Sequence, residues 1–145
     1  MFNHSFRIIT GWIVPLLSMG LILAGCMFEN SPSLEDVTIR IHDIQGCSHQ
    51  SPYLGRTVEG VTGIVTKKNA NGFFMQTDQP DDKSCTSEAI FVFTRNYPDV
   101  RPGDVVKVSG QVDEFLPGAI EDRNLTLTQL TDVSFQIMSH GNSLP

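Results

Sequence analysis

Three groups of residues in this chain have the types and spacing to do chemistry. Asp78, Asp81 and Asp82 cluster around Pro80 and offer carboxylate oxygens of the kind that hold Ca²⁺ or Mg²⁺. Lys83 stands beside them, however, and the run lacks the glycine and closing glutamate of an EF-hand loop, so a solvated turn is the expected outcome. His42-Asp43 has the makings of an acid/base pair. Neighbours on a strand point to opposite faces, which separates the two groups. Ser51 precedes Pro52 without the strand-turn-helix context of an activated nucleophile. We therefore expect no catalytic residue, no metal site and no cofactor.

Binding chemistry is better represented. Gly72 to Gln76 and Ala89 to Phe93 read as two short aromatic strands. Alternation sets Phe73 and Met75 against Phe74 and Gln76, and Ile90 and Val92 against Phe91 and Phe93. If the first set fills a core, Phe74, Phe91 and Phe93 face outward, with Lys67, Lys68 and Arg95 near the strand ends. Such a patch can stack single-stranded bases, each contact contributing about 1 to 3 kcal/mol. The competing reading is packing, under an N-terminal strand, under the loop carrying Cys85, or against a neighbouring domain. Lys67-Lys68 has its own plain reading as a solvated hairpin end ahead of Asn69 and Gly72.

The elements that must position these residues are all β. Val37 to Ile41 alternates apolar and polar; Thr57 to Thr66 is a long run broken by Gly60 and Gly63. Asp104 to Phe115 carries Val106, Val108 and Val112 and is split by Gly110, while Leu125 to Leu127 and Val133 to Ile137 complete the set. Two long runs with internal glycines around two short ones imply strands that bend sharply, because glycine lets the backbone kink where side chains would collide. The expected architecture is a small five-stranded OB-like Greek-key barrel over residues 37–140, with an extra N-terminal strand through Ile44.

The N-terminus points to export. Arg7, the apolar run Ile8 to Leu23 and the small pair Ala24-Gly25 have the layout of a helical signal segment over residues 1–25. Leu23-Ala24-Gly25-Cys26 resembles a bacterial lipobox, which implies lipidation of Cys26 and a mature chain starting there. The alternative is an uncleaved N-terminal anchor. Residues 26–36 read as a polar tether. These features imply a lipid-anchored, extracytoplasmic protein of the cell envelope, with Met27 after the cysteine compatible with the outer membrane in a Gram-negative source.

Giving Cys26 to lipid leaves two of the three cysteines, Cys47 and Cys85, an even number for an oxidising compartment. A disulfide is the natural pairing. A metal pair or two inert thiols compete with it, but there is no CxxC spacing and only His42 and His49 lie nearby. Removal of residues 1–25 loses Arg7 alone among the charged groups, leaving 9 Lys and Arg against 16 Asp and Glu and a net charge of −7. That balance excludes general electrostatic attraction to phosphates, so any nucleic-acid contact must be local. The remaining 120 of the 145 residues suffice for one domain.

An ordered set of segments carries a more specific resemblance. Ile41-His42-Asp43-Ile44-Gln45-Gly46, Ser51-Pro52-Tyr53-Leu54-Gly55, Val58 to Thr66, Gly72 to Gln76, Ala89 to Phe93 and Arg101-Pro102-Gly103-Asp104 through Phe115 together resemble the OB-like domain that precedes the catalytic domain of bacterial extracellular nucleases. Gly141 to Pro145 is similar to the start of the linker into that domain. The resemblance covers residues 39 to 145. It implies an accessory module acting with a metal-dependent phosphodiesterase domain in cis or in trans. None of the catalytic motifs of that domain occurs here, so the chain alone is not expected to be an enzyme. A lipoprotein module that binds a protein or an oligosaccharide is the alternative function.

Overall fold

The structure is a computed structural model that describes residues 38–119 and 123–145. The signal segment, Cys26 and the tether lie outside the described residues. A short helix, α1 (Ile41–Gln45), precedes five strands: β1 (Thr57–Asn69), β2 (Gly72–Gln76), β3 (Ala89–Phe93), β4 (Val105–Phe115) and β5 (Leu127–Ser139). The strands close into a barrel in the order β1-β2-β3-β5-β4, with β4 pairing back onto β1. Every pairing is antiparallel except β3 with β5, which is parallel. Among the described residues, no helix is long and apolar enough to cross a membrane.

The apolar pattern explains both the strands and their bends. Val58 and Val61 are both buried although they stand an odd number of residues apart, which a regular period of two forbids. The conflict is resolved by a register shift between them: Val58 pairs with Gly110 and Val61 with Val108, so β1 carries one extra residue. Gly60 sits in that bulge at φ +69°, a backbone conformation glycine adopts without steric cost. The same device recurs in β5, where Leu130 and Val133 both turn inward around Asp132 and the β4 register shifts between Ser109 and Gln111. Gly110 lies opposite both bulges. A side chain there would come within 2.8 Å of the Thr131 carbonyl oxygen, so β4 can cross this crowded point only as glycine.

The barrel interior is filled by Val58, Val61, Val65, Phe73, Met75, Ile90, Val92, Val106, Val108, Val112 and Leu130, each no more than 1% exposed. Phe73 meets Phe135 edge-on at 5.4 Å between ring centroids. Ile41 and Ile44 of α1 join the same core.

Among the described residues, the expected extra N-terminal strand is not formed. Residues 41–45 are helical instead, because Ile41 and Ile44 are spaced to share one face of a helix and both are buried. The Asp43 carboxylate accepts the Arg40 backbone N–H at 3.0 Å, and the Gly46 N–H closes the turn on the His42 carbonyl at 2.9 Å. Val37 lies outside the described residues. Two further boundaries differ: β1 runs on to Asn69, and a single strand, β5, starts at Leu127, the last residue of the expected Leu125–Leu127 run, and continues through Val133 to Ile137, its bulge at Asp132 disguising the continuity.

The expected disulfide is present. Cys47 and Cys85 are bonded, with Cα atoms 4.8 Å apart across a sequence separation of 38. Closing a loop of that length restricts the unfolded chain by about 4 kcal/mol on the chain-entropy model. The bond ties the segment after α1 to the β2–β3 connection.

Candidate functional site

The outward aromatics gather into one cleft on the outside of the barrel. Phe74 and Phe91 are cross-strand partners on the solvent side of β2 and β3, with ring centroids 4.8 Å apart and planes tilted by 51°. Gly72 makes room for them: a Cβ at that position would lie 2.6 Å from the tip of the Phe91 ring. Parallel pairing brings Gln129 of β5 beside Phe91, and the Phe115–Leu127 pair of β4 and β5 forms the far wall. Phe93, Asn69 and Asn71 complete a cleft of about 440 Å³.

The expected alternation therefore holds in β2 and β3, with a difference in depth. Phe91 is only 7% exposed, so it is the floor of the cleft rather than an open platform. Phe74 and Phe93 are half-buried, while Phe115 is half-exposed. Neither α1 nor the Cys85 loop lines the cleft. They engage the opposite end of β3, where the Gln45 amide donates to the Ala89 carbonyl at 2.7 Å.

The three candidate cations are disposed differently. Lys67 pairs in register with Phe74, on the outer face, and forms no ion pair among the described residues. Lys68 pairs with Phe73 and lays its ammonium over the Tyr97 ring at 4.3 Å from the centroid. Arg95 is bound to Asp132 at 2.6 Å. Among the described residues, Lys67 alone of the three has its charge uncommitted beside the aromatic pair.

Phe115, Leu127, Gln129, Asn69 and Asn71 belong to the cleft without having been singled out by the sequence. A signal for Phe115 exists: it continues the solvent-facing series Gln111 and Asp113 on β4, where an aromatic ring is out of place. Gln129 carries no such signal, since only the parallel β3–β5 pairing places it beside Phe91.

A second group of polar side chains lies at the disulfide end of the barrel. The buried His42 Nδ1 is 3.1 Å from Glu88 Oε2, and the other Glu88 oxygen accepts the Asp81 backbone N–H at 3.0 Å. Asp81 Oδ1 accepts the Lys83 N–H at 2.9 Å and the Thr86 hydroxyl at 2.8 Å. Partial burial acts to raise the Asp81 pKa, but these hydrogen bonds, with the charges of His42 and Lys83, outweigh it and hold the carboxyl below its ordinary value. One donor atom from each of His42, Asp81 and Glu88 falls within 4.8 Å of the others. The strand argument that set His42 and Asp43 on opposite faces is thus corrected: residues 41–45 are helical, and His42 Nε2 lies 4.0 Å from Asp43 Oδ1. Its shorter contact is to Glu88, 46 positions away.

Comparison with known proteins finds no matching family model, no matching curated protein and no matching solved structure.

Proposed function

We propose that this chain is an OB-like, lipid-anchored accessory module that holds single-stranded nucleic acid for an extracellular nuclease activity residing in another domain, in cis or in trans. The observation that carries this reading is the cleft itself. Stacking surfaces from Phe74, Phe91, Phe93 and Phe115 line it with Asn69, Asn71 and Gln129, residues whose amides can hydrogen-bond a base edge, although Gln129 Nε2 already donates to Asp113. The ring order β1-β2-β3-β5-β4 with its one parallel pair supports the OB-like Greek-key reading, and the cleft lies on the strand face such barrels use for oligonucleotides. Lipid on Cys26 would display the module outside the cytoplasmic membrane. This chain's part is to stack bases and position the strand; the bond-breaking chemistry belongs elsewhere.

The net charge of −6 for the whole chain makes the contact local: Lys67 supplies the phosphate-facing charge and the rings supply most of the affinity. Binding of a fluorescent oligothymidylate, followed by anisotropy, tests this. Phe74→Ala and Phe115→Ala are each expected to weaken binding by about 1 to 3 kcal/mol, the usual contribution of one base stack, without unfolding the barrel. Absence of binding at low salt contradicts the reading.

A second reading, a module for an uncharged oligosaccharide or a protein, draws on the neutralisation of Arg95 by Asp132 and the carboxylate of Asp113 next to Gln129. Under that reading, the same two variants lose a neutral glycan or protein ligand, and the oligothymidylate never binds.

A further inference from the structure

We propose that His42, Asp81 and Glu88 form a site for one divalent transition-metal ion of the zinc, cobalt or manganese class. The donor set is one imidazole nitrogen and two carboxylates converging within 4.8 Å, a mixture suited to borderline zinc and cobalt and, through its carboxylates, to harder manganese. It offers too few oxygens to compete for Ca²⁺, and an imidazole is a poor ligand for Mg²⁺.

The three side chains come from two segments that other interactions lock together. His42 belongs to α1, and Asp81 and Glu88 to the β2–β3 connection; the Cys47–Cys85 bond and the Gln45-to-Ala89 hydrogen bond join the two. Each carboxylate is oriented by a contact on one oxygen. The Asp81 N–H holds Glu88 Oε1, which leaves Oε2 facing the imidazole. Lys83 N–H and the Thr86 hydroxyl hold Asp81 Oδ1, which leaves its second oxygen for an ion. Outer contacts of this kind fix ligand direction in metal sites and reduce the reorganisation that binding requires. Burial of His42 against half-buried Asp81 and Glu88 sets the ion at the protein surface, with its remaining positions filled by water.

The site is distinct from the aromatic cleft. It lies at the Ala89 end of β3, whereas the cleft is lined from the Phe93 end. Its chemistry is that of an ion bridging α1 to the loop, a second clamp beside the disulfide.

The test uses the full chain, untagged, disulfide-intact and stripped of metal. Co²⁺ is titrated and followed by its visible absorption, and Zn²⁺ is then added as competitor. We expect one equivalent of Co²⁺ to bind and Zn²⁺ to displace it. In NMR spectra of the unaltered chain, Zn²⁺ should shift the imidazole nitrogens of His42 and leave those of His4, His49 and His140 in place. Glu88→Gln and Asp81→Asn should each weaken binding more than about tenfold, the lower end of the cost of losing an outer-shell partner. His49→Gln and His140→Gln should have no effect. The proposal is overturned if Co²⁺ shows no saturable absorption, if Zn²⁺ shifts a histidine other than His42, or if folded Glu88→Gln and Asp81→Asn chains bind as the parent does. Should either variant fail to fold, the histidine spectrum of the unaltered chain decides alone.

Discussion

The two ends of β3 present opposite solutions to building a site. At the Phe93 end, the cleft is made by strand register: Phe74 faces Phe91 across one ladder, Gln129 joins through another, and the Phe115–Leu127 pair closes the wall. At the Ala89 end, the polar group is made from a short helix and a long connection, drawn together by a disulfide and directed hydrogen bonds. The first region inherits its geometry from the barrel and needs no staple. The second is held by its cross-links, so each region should fail under a perturbation that spares the other.

Reduction of the staple is the strongest such perturbation. Replacing Cys47 and Cys85 by serine should destabilise the fold by about 4 kcal/mol, the chain-entropy value for this loop, as read by urea unfolding. While that variant remains folded, oligothymidylate affinity should be unchanged and protection of the α1 amides from hydrogen exchange should fall. Loss of the cleft along with α1 would show that the two ends are one unit.

The converse variant is Gly72→Ala. Its methyl group would collide with the Val92 carbonyl oxygen and lie 2.6 Å from the tip of Phe91, so overpacking is expected to cost about 3 kcal/mol, to strain the β2–β3 ladder and to push the ring out of the cleft floor. Oligothymidylate binding should be lost while the His42–Glu88 contact persists, which the histidine NMR signals would report.

A third site serves as a reference away from both. Asp104, buried at the start of β4, accepts the Arg101 N–H at 2.8 Å and pairs with His140 Nδ1 at 2.8 Å. Burial acts to raise its pKa, but the His140 and Arg101 interactions outweigh it and hold the carboxyl below its ordinary 3.8. A depressed folded pKa means that its stabilisation is fully present above that ordinary value and is lost as pH falls through the lower folded one. Asp104→Asn should therefore cost about 1 to 3 kcal/mol near neutral pH, as for a buried partner left unsatisfied, with neither site altered. In urea unfolding repeated at falling pH, the gap between variant and parent should narrow below the ordinary carboxylate pKa.

The smallest effect is expected at Arg95. Its ion pair with Asp132 is largely exposed on both sides, so Arg95→Ala should change stability by less than about 1 kcal/mol. If the arginine contributes to phosphate contact despite that pairing, the salt dependence of oligothymidylate binding will become shallower.

These two regions also differ in how much of them can be read from the chain. The boundaries of β2 and β3, the inward set Phe73, Met75, Ile90 and Val92, and the outward set opposite follow from strict alternation. Gly60 and Gly110 mark the bends because only glycine fits where they fall. The Cys47–Cys85 pairing follows from counting. Helix α1 is hidden because Val37, Ile39 and Ile41 alternate like a strand, while the Ile41–Ile44 spacing and the Asp43 and Gly46 contacts settle the backbone otherwise. The β5 bulge at Asp132 reverses the phase of alternation and makes one strand look like two runs. The His42–Glu88 contact has no local signature at all: it depends on where the disulfide and the barrel bring two distant segments.

The central claim is that the aromatic cleft is the ligand face of this barrel. Amide and ring chemical shifts of the isotope-labelled chain, recorded while oligothymidylate is added, address it most directly. Shifts confined to the residues around Asn69 to Phe74, Phe91 to Phe93, Phe115 and Leu127 to Gln129 are the predicted result. An unchanged spectrum, or shifts centred on the α1 end of the barrel, would contradict it.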